Sequence, residues 1–224
     1  MKETTHAHLE KQKFQLDRVA LFSDAVFAIS ITLLAIEIKV PEVNLEHLSD
    51  KTLGHALLTI IPRFIGFILS FFVVGLYWLS HYRLFRYVGH CSQQLIWNNL
   101  IFLLSIVIMP FSTVFLSEYY YSSLRLPLAF YTLNICFSGF FSYRLWSIVG
   151  KEGNKLSIDL PKVVVKYNKA RAVATPLVFV FISLLSFINP FIAHILPPFI
   201  LILGGLIRRY YYRKYPAIMK LHLG

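Results

Sequence analysis

The stretch Arg18 to Ile38 reads RVALFSDAVFAISITLLAIEI and indicates the fold class of the whole chain. A helix of roughly 20 apolar residues is about 30 Å long, which matches the hydrocarbon core of a bilayer. The charged residues within this stretch are Arg18, Asp24 and Glu37. The stretch therefore predicts a membrane-spanning helix with an unusual pair of charges near its start.

One face of this predicted helix carries a ladder of bulky aliphatic side chains. A turn of about 100° per residue places Ile29, Leu33 and Ile36 within about 60° of one another. The same stripe includes Arg18 and Phe22. This apolar spacing is also typical of an ordinary helix-packing seam, so the spacing alone leaves both interpretations open.

Ser23 and Asp24 point away from the stripe. A carboxylate without a partner inside a membrane costs several kcal/mol, so we expect both side chains to find partners on neighbouring helices. For Asp24 the expected partner is Trp97 or an asparagine of the third span.

The composition excludes a soluble domain. Of the 224 residues, 57% are hydrophobic and 15% are charged, whereas about a quarter of the residues in a soluble domain are charged. The net charge of +11 does not predict nucleic-acid binding, because the basic residues cluster between apolar runs as topology signals do. The two cysteines, Cys91 and Cys136, suggest neither a disulfide framework nor a metal site.

The apolar runs predict an all-α polytopic membrane protein with six transmembrane helices. The predicted spans are about 18–38, 56–80, 95–116, 126–149, 172–188 and 191–207. The predicted organisation is an N-terminal segment 1–17, a transmembrane domain 18–215 and a C-terminal tail 216–224. Pro161 marks the expected start of a helix in the polar connection after span four, and Asn189-Pro190 the turn between the last two spans. Gly204-Gly205 indicates a close contact between helices.

Basic residues predict the orientation. Eighteen Lys and Arg residues fall on the side of the predicted termini and four on the other. We therefore expect both termini on the cytoplasmic side of a cell membrane.

Polar side chains inside the other spans are His81, Trp97, Asn98 and Asn99. Together with Ser23 and Asp24, they are expected to form a hydrogen-bonded bracket that fixes helix packing. Between His81 and His90 the sequence offers Arg83 and Arg86 instead of carboxylate or cysteine ligands, which argues against a metal site. The sequence contains no HExxH or GxSxG motif and no TVGYG-type potassium filter.

These residues carry a family resemblance. RVALFSD resembles the R-x-x-x-F-S-D signature that opens the first helix of the transmembrane protein 175 family of potassium channels. The segments FSDAVFAISITLLAIEIKVPE, YWLSHYRLF and WNNLIFLLSIVIMPF are similar to successive parts of the same family. The similarity covers most of the first 115 residues, and the single six-helix repeat resembles the prokaryotic, tetrameric form.

The resemblance implies a passive, potassium-preferring cation channel without a cofactor. It implies a homotetramer in the lipid bilayer whose first helices line the pore, with Ile29, Leu33 and Ile36 as stacked apolar constrictions for potassium ions. Ser30 and Thr32 are expected to offer hydroxyls beside the stripe. The expected signature and bracket residues are Arg18, Phe22, Ser23, Asp24, His81, Trp97 and Asn98.

Two other functions remain open from the sequence. One is a membrane-embedded enzyme acting on a lipid headgroup through His81 or a basic groove near Arg83 and Arg86. The other is a transporter coupled to protons through Asp24. The enzyme lacks an acid or metal pair, and the transporter lacks an internal repeat, so we favour the channel.

Overall fold

The fold is an all-helical bundle. The computed structural model describes residues 2–41, 49–119, 124–152, 156–188 and 199–223, with side chains from residue 10 to residue 222 of those ranges. The helices in this described part are α1 Lys2–Ile36, α2 Asp50–Thr59, α3 Ile61–Phe85, α4 Gln93–Glu118, α5 Leu126–Val149, α6 Lys162–Leu185, α7 Phe199–Lys214 and α8 Pro216–Leu223.

The helices pack mostly against their neighbours in the chain. Helix α1 packs against α3 and α4, α4 packs against α5, α5 against α6, and α6 against α7. The core holds large buried side chains from several helices, among them Phe27, Phe102, Tyr131 and Trp146. Helix α1 thus contacts the described part of the bundle mainly through α3 and α4.

Four described helices are long and apolar enough to cross a membrane: Glu10–Ile36 of α1, and helices α3, α4 and α6. Helix α5 has the bounds predicted for span four, and α7 has 16 described residues. The multi-pass, all-α class is confirmed, whereas the count of six spans stays a prediction.

The predicted first boundary does not coincide with a helix end. Helix α1 is continuous from Lys2 and crosses the predicted division between residues 17 and 18. The predicted turn at Asn189-Pro190 lies outside the described residues.

The second predicted span was placed wrongly. The helix is interrupted at Ile60. The next helix, α3, runs to Phe85, so His81 and Arg83 lie inside it. Pro62 explains the position of this start, because a proline in the first turn has no N–H that needs an intrahelical acceptor. Helix α2 begins separately at a capping box in which Ser49 accepts from the Thr52 amide.

The basic connection after span four is more helical than predicted. A helix does begin after Pro161, but it continues through Ala172 to Leu185 as the single helix α6. Val164, Val165 and Tyr167 are buried in its first turns, so packing on the bundle stabilises this lysine-rich stretch as a helix.

Gly139 allows close packing of α5 against α6. A Cβ atom placed on Gly139 would lie 2.2 Å from Cγ of Pro176 and 2.8 Å from the carbonyl oxygen of Ala172. Both distances are far below van der Waals contact, so no larger residue fits there without moving a helix. Within the described residues of one chain, the predicted close contact at Gly204-Gly205 is wrong, because a Cβ atom at either position would meet none of their atoms within 4 Å.

Candidate functional site on helix α1

Helix α1 has a buried face that holds it against the bundle. Ser23, Phe27, Ser30 and Leu34 recur every three or four residues and are at most 2% exposed. Phe27 packs against the rings of His81 and Phe102, with centroid distances of 5.6 and 6.0 Å. This spacing is that of a helix buried along one stripe.

The opposite face carries the predicted aliphatic stripe. Ile29, Leu33 and Ile36 are 58%, 39% and 70% exposed, and Phe22 is exposed on the same side. At about 100° per residue, this stripe lies on average about 120° around the helix from the buried face. Among the described residues, the three aliphatic side chains therefore do not form a packing seam within one chain, so a second copy or lipid can cover them.

The two predicted hydroxyls behave differently. Ser30 is 1% exposed and belongs to the buried face, so its predicted place beside the stripe is wrong. Thr32 is exposed on the stripe side, and its Oγ1 donates to the carbonyl oxygen of Ile29 at 2.8 Å. With its proton committed to the backbone, the Thr32 oxygen presents lone pairs outward.

A buried polar network ties α1 to α3 and α4. Nδ2 of Asn99 donates to Oγ of Ser23 at 2.9 Å, and Ser23 in turn donates to the carbonyl oxygen of Val19 at 2.8 Å. Oδ1 of Asn99 lies 2.8 Å from Nε2 of His81. Because the Asn99 oxygen can only accept, Nε2 of His81 carries the hydrogen.

The histidine of this network is held from several sides. Its ring stacks on Phe85 at 4.4 Å and on Phe102 at 6.0 Å, and the residue is 4% exposed. His81 therefore positions α3 against α1 and α4 and does not face the open surface.

Asp24 has a partner, but a different one from the partner expected. Nε1 of Trp78 on α3 donates to Oδ1 of Asp24 at 2.9 Å, and the Trp78 ring stacks on Tyr82. The prediction of Trp97 is wrong, because that side chain is 59% exposed on another face of α4. Asn98 is also outside the bracket, since its amide donates to the carbonyl oxygen of Gln94 within its own helix.

Arg18 lies at the open face of α1. Its guanidinium carbon lies 5.9 Å from the centroid of the Phe14 ring, one turn earlier in the helix. It is exposed, so it is placed to face whatever covers this side of the helix.

The structure adds Trp78 to the predicted bracket and gives Asn99 its central place. A signal for Trp78 exists in the sequence: Trp78 and His81 are three residues apart, so both project from one side of α3. That side faces α1, where Ser23 and Asp24 are adjacent. The two adjacent side chains of α1 thus form hydrogen bonds with different helices: Ser23 with α4 and Asp24 with α3.

Part of the chain that includes this arrangement matches a known protein family. Residues 18–110, which run from the signature arginine through most of α4, match the family described as the endosomal/lysosomal potassium channel TMEM175. Over this segment, the chain is similar to the TMEM175 family. The open stripe of α1 and the Ser23–Asn99–His81 network both lie within the matched segment.

The chain is also similar in sequence to individual bacterial potassium channels. A potassium channel of Streptomyces collinus is 39% identical over 102 residues, which is 46% of this chain and 48% of the relative. A potassium channel of Chamaesiphon minutus is 36% identical over 110 residues, covering 48% of this chain and 52% of the relative. The chain thus aligns with about half the length of these curated relatives, which are named as channels and not as enzymes.

The fold is similar over a longer range. The crystal structure of a lysosomal potassium-selective channel TMEM175 homologue from Chamaesiphon minutus has a TM-score of 0.68 at 25% identity. The similarity covers 85% of this chain and 98% of that one. The helices beyond the matched sequence segment therefore follow the arrangement seen in a TMEM175 channel.

Proposed function

We propose that this protein is a passive, potassium-preferring cation channel in which the α1 helices of four copies surround a central pore. The observation that carries the proposal is the open aliphatic stripe on α1, in the segment matched by a family whose relatives are named potassium channels.

In the proposed pore, each stripe residue forms a ring. Ile29, Leu33 and Ile36 are separated by about one turn each, about 4.5 to 6 Å along the axis, so four copies give three stacked apolar rings. Rings of this kind close a narrow pore to hydrated ions by dewetting. Thr32 carries an exposed hydroxyl beside these rings, and its outward lone pairs suit a cation that has lost part of its water shell.

The open stripe supports the proposed homotetramer. One chain supplies a single open stripe, and a conduit needs several around an axis, which cyclic assembly provides. The packed face of α1 fixes the stripe relative to α3 and α4, so assembly does not need to reorganise the chain.

In the proposed orientation, both termini are cytoplasmic and the channel sits in a cell membrane. The support is the distribution of Lys and Arg between the two sides of the predicted spans. The hydrogen bond from Trp78 to Asp24 links α3 to α1, which favours a structural role for this carboxylate over proton-coupled transport.

The proposal is tested by reconstituting the full chain into liposomes with a potassium gradient. We expect potassium flux that follows the membrane potential. With a sodium gradient in place of the potassium gradient, we expect a smaller flux. Flux that requires an opposing proton gradient would instead favour the coupled transporter, and no flux from a folded, reconstituted protein would refute the channel.

Assembly is measured on the same preparation. Native mass spectrometry from nanodiscs should give four copies of the 25.9 kDa chain. A monomer that nevertheless conducts would refute the shared pore.

A further inference from the structure

A second polar site lies away from the α1 stripe, in a cavity enclosed by α3, α5, α6 and α7. The cavity has a volume of about 320 Å³, within the range of small-ligand pockets. Its apolar wall includes Leu76 and Ile200. Its polar wall carries three arginines from three helices, Arg83 of α3, Arg171 of α6 and Arg208 of α7, and we call it the arginine cavity.

The arginine cavity has an excess of positive charge. The groups that act electrostatically on Arg83 are Arg171, Arg208, Tyr167 and Tyr212, with no carboxylate among them in the described part of the chain. Three cations that converge on one partly buried space repel each other unless an anion lies between them.

Two polar atoms of the cavity residues lack partners within the described residues. Nη1 of Arg83 and the hydroxyl oxygen of Tyr212 are buried and make no hydrogen bond. A buried donor without an acceptor costs free energy, so both atoms indicate a missing acceptor. Arg171, by contrast, is anchored, because its Nη1 donates to the Tyr167 hydroxyl at 3.3 Å.

The cavity also has open space beside its charged wall. Gly204 and Gly205 of α7 line it, and a Cβ atom at either position would meet no atom of the described residues within 4 Å. These glycines therefore leave room for a ligand and do not bring two helices together.

We propose that the arginine cavity binds a phosphate-bearing anion, through the guanidinium groups of Arg83, Arg171 and Arg208 and the hydroxyl of Tyr212. Guanidinium forks match the paired oxygens of a phosphate, and charge-assisted hydrogen bonds of this type are strong. Basic pockets between membrane helices are suited to lipid headgroups, and the apolar wall of the cavity is compatible with a lipid. The phosphate belongs either to an acidic lipid or to free phosphate.

The test uses the full chain in an uncharged detergent, with ligand adducts counted by native mass spectrometry. The probes are dioctanoyl phosphatidic acid, dioctanoyl phosphatidylcholine and inorganic phosphate. We expect saturable binding of phosphatidic acid in preference to phosphatidylcholine. Inorganic phosphate that binds and competes identifies free phosphate as the ligand, and phosphatidic acid binding without such competition identifies the lipid.

Variants separate the cavity from the general basic surface. Arg83→Gln and Arg171→Gln should each weaken phosphatidic acid binding on the order of tenfold. Gly205→Phe should abolish it by filling the space without a change of charge. The matched control is Arg209→Gln, which removes one positive charge from an exposed neighbour of Arg208 that does not line the cavity.

Several results would overturn the proposal. These are no saturable binding of either phosphate probe, an equal loss in Arg209→Gln and Arg83→Gln, and unchanged binding in Gly205→Phe. Each variant is first checked for wild-type oligomeric mass and helical content; Arg171→Gln and Gly205→Phe act on different helices, so the test survives if one fails to fold. The readout is binding, so its failure does not bear on whether the chain conducts potassium.

Discussion

Replacing Asn99 by alanine tests the buried network that fixes the direction of α1. The side chain makes two interhelical hydrogen bonds, 2.9 Å to Oγ of Ser23 and 2.8 Å to Nε2 of His81. Alanine removes both and leaves the buried His81 N–H without an acceptor, which costs about 1–3 kcal/mol. Interhelical hydrogen bonds in membranes average about 0.6 kcal/mol and reach about 1.7 kcal/mol, so we expect a total loss of about 2 kcal/mol.

The adjacent asparagine supplies a matched control. Asn98 is similarly buried in the same helix, but its amide donates only to the carbonyl oxygen of Gln94. Asn98→Ala removes the same atoms without breaking a contact between helices, so we expect a change below about 0.5 kcal/mol.

The assay is reversible unfolding of the full chain in mixed micelles at a fixed protein concentration, since assembly contributes to stability. A double-mutant cycle of Asn99→Ala with Ser23→Ala should give a coupling free energy of about 0.5–1.5 kcal/mol. Equal losses for Asn99→Ala and Asn98→Ala, or a coupling free energy of zero, would show that the network does not hold α1 in place.

Two further substitutions probe other contacts. Gly139→Ala places a methyl group 2.2 Å from Cγ of Pro176, and should lower the unfolding free energy by about 1–3 kcal/mol in the same assay; an unchanged value would mean that α5 and α6 are not in contact there. Trp78→Phe removes the donor to Asp24 and should destabilise the chain by about 1–2 kcal/mol, whereas Trp97→Phe, at an exposed position, should have little effect; the reverse order would restore the partner predicted from the sequence.

The sequence predicted the main features of α1 because a single helix has a fixed period. Apolar and polar residues repeat at known angles, so the open stripe could be separated from Ser23 and Asp24 without any knowledge of the neighbours. The same angles put Ser30 near the edge of the stripe, and only the position of α3 and α4 decides that this edge is buried.

Contacts between helices were harder to predict. Trp78 and Trp97 both carry an indole N–H, and hydropathy does not indicate which of them faces Asp24; the spacing of Trp78 and His81 shows only that these two share one side of α3. The lysine-rich start of α6 reads as a polar connection by hydropathy, although its apolar residues pack on the bundle as a helix. Gly204-Gly205 shows the same limit, because small residues occur both at close contacts and beside open space.

The central claim is that the α1 stripe faces the ion path. The most direct measurement compares Ile29→Asn with Ile68→Asn, an identical change at a similarly exposed apolar position on α3, where exposure is 51% against 58% at Ile29. An amide gives water and cations a hydrogen-bonding partner that a methyl group cannot, so a polar ring lowers the cost of wetting the constriction. In planar bilayers, Ile29→Asn should raise basal current and reduce the preference for potassium over sodium, while Ile68→Asn leaves both at wild-type values. Wild-type current and selectivity in a folded Ile29→Asn channel, together with altered conduction in Ile68→Asn, would place the ion path elsewhere.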